Sequence, residues 1–177
     1  MPRCTASSVR IDEYSTLAGT GNVNDLFRIT DVSDRFCSLH GFVRVSFVGV
    51  YGYGNEPLQN AHALSVEQVE SRGRVGNDFG GLAPGLPVPT VIFSSMKIAA
   101  SFWVYGVDIS TTQSNGVSSR CITSFEMRLQ LAGEAKSFVV RPAPNSGFFW
   151  CGSVFADPIV SGCSGSDPAK ALLFHFN

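Results

Sequence analysis

Two quoted stretches decide the fold: Ile98-Ala-Ala-Ser-Phe-Trp-Val-Tyr-Gly-Val-Asp-Ile109 and Cys121-Ile-Thr-Ser-Phe-Glu-Met-Arg-Leu-Gln-Leu131. In the second, Cys121, Thr123, Phe125, Met127, Leu129 and Leu131 alternate with Ile122, Ser124, Glu126, Arg128 and Gln130. Side chains on a strand point to opposite faces with a period of two, so this spacing predicts a half-buried antiparallel strand with the odd positions against a core. The first stretch is apolar on both parities and rich in aromatic and β-branched residues, as a strand covered on both faces should be. Between them stands Gln113-Ser-Asn-Gly-Val117. Asn-Gly suits a tight type I′ turn, whose central residues need positive φ. The two stretches are therefore expected to form one long central hairpin.

Working outward, Leu26 to Val32 is predicted to be the first core strand, after an arm that holds one short strand near Val9 to Tyr14. Phe42 to Tyr51 is a strong strand with Val43, Val45, Phe47 and Tyr51 on one face. Gly49 interrupts that face, where a bulge or a close backbone approach is the usual cause. Leu64 to Arg72 suits either a strand or one helical turn, because Ser65 and Gln68 could form a capping box. Gly73 to Pro89 holds too many glycines and prolines for a regular element and is expected to be a long contact loop. Val91 to Met96, Ala135 to Arg141, Phe148 to Phe155 and Leu172 to Phe176 complete about eight strands. The fold class that follows is all-β: a two-sheet antiparallel sandwich of Greek-key or jelly-roll type with uneven loops. Residues 1–24 form a loosely ordered N-terminal arm in this reading, and residues 25–177 a single β-sandwich domain.

Composition narrows the function. The 177 residues carry a formal net charge of -1, so no overall field draws the chain to nucleic acid, and only a local patch could. Charged residues are only 15% of the chain, below the roughly 25% usual in soluble proteins, which suggests a surface that meets other protein. No apolar run approaches the roughly 20 residues that span a bilayer. Cys4, Cys37, Cys121, Cys151 and Cys163 are widely spaced without a C-x-x-C pair, and no secretory signal is visible at Met1 to Ser8. Free thiols in a reducing compartment are the expectation, with a disulfide as the minority reading.

The chemistry is sparse. Gly162-Cys-Ser-Gly165 with His40 or His62 and Asp78 or Asp108 reproduces the chain order of chymotrypsin-like proteases, but only thirteen residues follow Ser164, too few to build that family's specificity pocket. His40, His62 and His175 have no metal-ligand spacing, and Gly49 to Gly54 lacks the helix that a phosphate cradle needs. No catalytic residue, cofactor or metal is assigned. The aromatics say more. Tyr51, Tyr53, Phe79, Phe148, Phe149 and Trp150 lie in or beside expected loops, and three consecutive rings at 148–150 cannot all face one core. They are the candidate interface residues.

The arm, the strand count, the Pro/Gly-rich loops and the apolar Leu172 to Phe176 end together resemble the small jelly-roll coat and spike proteins of icosahedral viruses. That resemblance implies a non-enzymatic subunit that self-assembles into a homo-oligomer or capsid. It is made in the host cytoplasm and resident in the virion, with copies of itself and other capsid proteins as partners. The arm lacks the Lys/Arg-rich stretch of many RNA-packaging coats, which points toward a spike or decoration role. The alternative is a carbohydrate- or peptide-binding β-sandwich module in the cell, using Tyr51, Tyr53 or Trp150 as a stacking platform.

Overall fold

The computed structural model describes residues 1–19, 21–52, 60–70, 87–93, 99–110, 120–142 and 147–161. Among them there is no α-helix. The strands are β1 (Val9–Gly19), β2 (Asn22–Asp31), β3 (Cys37–His40), β4 (Arg44–Tyr51), β5 (His62–Leu64), β6 (Gln68–Glu70), β7 (Thr90–Phe93), β8 (Ala99–Val107), β9 (Cys121–Gln130), β10 (Ser137–Val140), β11 (Phe148–Ala156) and β12 (Val160–Ser161). Half of them are only two to four residues long, too brief for a period-two pattern to show. Ten strands form one large, curled, almost wholly antiparallel sheet along the order β1-β2-β8-β11-β9-β4-β5. In it β10 pairs with β9, β12 with β8, and β6 runs parallel to β11. A second sheet contains β3 and β7.

The expected central hairpin is not there. β8 and β9 are separated by β11, which pairs with β8 on one side and β9 on the other. The Asn115-Gly116 turn lies outside the described residues. Alternation reports which face of a strand is buried and says nothing about which strand sits beside it, so two strong patterns adjacent in the chain need not be neighbours in the sheet.

β8 itself is as its composition predicts. Ala100, Phe102 and Val104 enter the main core, while Trp103 and Tyr105 on the opposite face join Leu26, Tyr14 and Phe155 in a second apolar cluster. Phe27 stacks on Phe102 with centroids 5.2 Å apart, and Tyr105 on Phe155 at 5.4 Å. Trp150 closes the core over β8, its Cε3 only 2.9 Å from where a Cβ on Gly106 would stand, so this position has room only for glycine.

β9 departs from its pattern halfway. Met127, Leu129 and Leu131 are buried as expected, but toward the start Ile122 and Ser124 are buried while Thr123 and Phe125 are only half-buried. The ladder with β4 skips Phe125: Val48 is opposite Glu126, and the next residue, Gly49, is opposite Ser124. One extra residue in a strand reverses the faces beyond it, which is what a β-bulge does. Gly49 makes the bulge possible, since a Cβ there would lie 2.1 Å from the Thr123 carbonyl oxygen. Ser124 seals it. Its buried Oγ sits 3.1 Å from the Val48 carbonyl oxygen and 2.9 Å from that of Glu126, and accepts from the Glu126 N–H at 3.3 Å.

The first 24 residues hold more structure than one short strand. β1 runs the full eleven residues Val9–Gly19 against β2. Ahead of it, Ser38 donates its N–H to the Pro2 carbonyl oxygen at 3.0 Å and accepts from the Cys4 N–H at 3.0 Å, which lays Pro2 to Cys4 along β3. The Cys4–Cys37 disulfide fastens that strap. A second disulfide joins Cys121 and Cys151, which face each other in the β9–β11 register. The expectation of free thiols is thus corrected: 33 and 30 residues separate the partners in the chain, and only the fold brings them together. Cys163 lies outside the described residues.

Within the expected 64–72 element, the described residues 64–70 hold the end of β5 and all of β6 and no helical turn; Ser71 and Arg72 lie outside the described residues. The Gln68 side chain donates to the Val43 carbonyl oxygen at 2.8 Å and accepts from the Val45 N–H at 2.7 Å, so its amide stands in for a neighbouring strand along the edge of β4. No helix among the described residues is long and apolar enough to cross a membrane.

Candidate assembly surfaces

The three consecutive rings divide as alternation requires. Phe148 and Trp150 point into the main core and are buried, and Trp150 meets Phe47 with ring centroids 6.1 Å apart. Phe149, on the opposite face of β11, is half-buried. Two of the three side chains expected at a contact surface therefore already serve this chain's own core. The reason is the long both-sided burial of the sheet, which a single stretch of sequence does not reveal.

Tyr51 ends β4 half-buried. Its ring lies beneath the Arg120 guanidinium, 3.2 Å from the ring centroid, and beside the His62 ring at 5.7 Å. Its hydroxyl accepts from the Ser65 N–H at 3.1 Å. The ring is thus held by its own chain, with Arg120 on the face a stacking ligand would use. Tyr53, Phe79 and most of the Gly73 to Pro89 loop lie outside the described residues, as do Asp78, Ser164, His175 and the Leu172 to Phe176 end. His40 and His62 are exposed; His40 Nδ1 lies 3.1 Å from the Pro89 carbonyl oxygen.

Among the described residues no three His, Cys, Asp or Glu side chains gather in a way that could hold a metal ion. A cleft of about 520 Å³ opens between the start of β4, β6 and the β9–β10 turn. Arg44, Gln68, Glu70, Gln130 and Glu134 line it beside Phe42 and Val43, and Gln68 is already committed to β4. The cleft is open and polar.

Among the described residues, two carboxylates have displaced pKa values. Asp25 on β2 is buried with both oxygens lacking a hydrogen bond of ordinary geometry. Burial pushes its pKa up to about 7, with Glu13 adding repulsion; nearby Thr16 works the other way, but its hydroxyl donates to Glu13. Glu126 is held below the usual carboxylate range, first by its hydrogen bond from Arg128 and then by the charges of Arg128 and Arg141, 2.7 Å and 3.1 Å away.

The residues that sequence reasoning missed are apolar and exposed. Phe36, just before β3, and Ile92 on β7 are 56% and 48% exposed, while their neighbours Cys37, Val91 and Phe93 are buried. Ile92 is paired with Ser38, two residues after Phe36, so the exposed isoleucine lies on the outer face of the small sheet and the exposed phenylalanine just ahead of β3. Val32, Ile109 and Val139 are also large and exposed. The available signal was the alternation of Ile92 with Val91 and Phe93, which puts an isoleucine on the wrong side of a strand for a solvated surface. In comparisons with known proteins, the chain matches no family, no curated protein and no solved structure.

Proposed function

We propose that the protein is a non-enzymatic structural subunit that assembles with copies of itself, as a capsid, spike or decoration subunit of an icosahedral virus particle. The observation that supports this best is the outer face of the small sheet. Ile92 is exposed on β7 and Phe36 just ahead of β3, next to Cys37, which the disulfide to Cys4 fixes in place. A large apolar side chain held rigid at a surface loses little entropy when a neighbour covers it, so its burial goes mostly into contact energy. The charged fraction of 15% agrees with a surface of which part is covered. Disulfides persist on virion and cell surfaces, which fits a particle resident outside the reducing cytosol.

In this reading the curled sheet acts as two layers. β11 pairs with the second half of β8 and the first half of β9, while β12 lies beside the first half of β8 and β10 beside the second half of β9; such a split supports a two-layer, jelly-roll-like reading. The binding-module alternative has lost Trp150, which is 1% exposed, as a stacking platform.

Electron microscopy of the purified protein over a range of concentrations tests the proposal. Closed particles or regular oligomers are the expected result, and a field of isolated subunits at every concentration would overturn it.

A further inference from the structure

β1 pairs with β2 on one side and, among the described residues, with no strand on the other; β10 approaches it without pairing. An open strand edge is a template for another strand, and proteins usually disrupt such edges with charges or bulges. The first five residues of this edge carry charges in an order that selects one partner.

The phase of the ladder decides which backbone groups are free. The Val32 N–H donates to the Ser8 carbonyl oxygen at 2.9 Å, in line with the register Val9 to Asp31 and Ile11 to Ile29. Hydrogen-bonded pairs alternate along an antiparallel ladder. Arg10 and Asp12 therefore turn their backbone groups toward β2, and Val9, Ile11 and Glu13 turn theirs to the open edge. The register shift between Glu13 and Ser15 ends this regular stretch. On the solvent side, Arg10 and Asp12 are joined at 2.7 Å, with 60% and 36% of their side chains exposed.

We propose that this edge docks a second copy of the chain, β1 against β1, antiparallel about a two-fold axis through Ile11. Val9, Ile11 and Glu13 then meet the partner's Glu13, Ile11 and Val9, so every free backbone group from Val9 to Glu13 is paired. In the same register Arg10 faces the partner's Asp12, and by symmetry Asp12 faces the partner's Arg10. These are the closer, non-hydrogen-bonded pairs, where opposite charges help and like charges hurt most. Sliding one strand by two residues, the smallest step that keeps the backbone groups matched, sets Arg10 against Arg10 or Asp12 against Asp12. One register satisfies both the backbone and the charges, and its occupant is an identical strand.

The proposal rests on the self-assembly reading and names one contact within it. The experiment is sedimentation velocity on the full chain with Arg10→Asp, with Asp12→Arg, and with an equimolar mixture of the two. Each variant alone places two like-charge pairs in the contact and is expected to associate at least about tenfold more weakly than wild type. The mixture restores both opposite-charge pairs between unlike chains and is expected to recover association. The double variant, Arg10→Asp with Asp12→Arg, keeps opposite charges paired across the contact and should associate like wild type; because Asp12 also faces Arg28 of β2 at 3.9 Å, the thermal midpoint of every variant is measured beside its association, as the control for folding. Wild-type association that neither single variant weakens, or a mixture that fails to recover, would overturn this contact and leave the self-assembly reading standing. A wild-type chain that stays monomeric would overturn both.

Discussion

At the scale of single residues, two positions carry unusual cost. Gly49 faces the Thr123 carbonyl oxygen so closely that any Cβ must push β4 and β9 apart. Gly49→Ala is expected to destabilise the fold by about 1–3 kcal/mol, in the range of overpacked core positions, which urea denaturation would measure. A loss under about 0.5 kcal/mol, the size of an ordinary surface change, would mean the strands separate more easily than the geometry indicates. Asp25 acts through protons. Its pKa is about 7 in the folded chain against 3.8 as the ordinary value, so the folded state holds its proton over a range where the unfolded state has lost it. The stability this gives is complete below about pH 4 and is lost as pH rises toward 7. Thermal unfolding followed from pH 5 to 8 should therefore show a falling midpoint, and Asp25→Asn should flatten that dependence. An unchanged slope in the variant would place the titration elsewhere. Gly49 was legible in the sequence as a break in one face of a strand. Asp25 was not, because a carboxylate inside an alternating strand looks the same whether its face meets solvent or core.

Among the elements, β11 organises the sheet. It lies between β8 and β9, and its Cys151 is tied to Cys121 of β9. Four of the long strands, β4, β8, β9 and β11, were legible in the sequence, since burial on one or both faces writes itself into parity, whereas only Val9 to Tyr14 of β1 and Leu26 to Asp31 of β2 were. Their neighbours were not, because nothing in the residues of Phe148 to Ala156 says that they separate two stretches nearer to each other in sequence. The reversal of faces inside β9 was hidden for a related reason: Phe125 continues the apolar alternation while being the residue the ladder skips. The disulfides follow the same logic, being set by strand order instead of spacing. Each closes a loop of 33 or 30 residues, and by chain entropy each is expected to contribute about 3–4 kcal/mol. Thiol titration of the unfolded, unreduced chain should find four of the five cysteines unreactive, and reduction should lower the unfolding midpoint. Five reactive thiols would contradict both pairings.

For the whole molecule, the all-β character and the low charge were legible from composition and period, whereas the surface was not. Of the six aromatic candidates, Phe148 and Trp150 fill the interior, Tyr51 is held by Arg120, and Phe149 is half-buried. Tyr53 and Phe79 lie outside the described residues. The exposed apolar area comes instead from residues that seem ordinary in sequence, Phe36 and Ile92 on the small sheet. A curled sheet whose β1 edge is paired by no other strand among the described residues, together with exposed apolar side chains, has surfaces that a second copy could complete. The most direct test is the light-scattering mass of the wild-type chain over a hundredfold range of concentration. Self-association predicts a mass that climbs from that of one chain to a fixed multiple of it, and a constant 19.0 kDa throughout would contradict it.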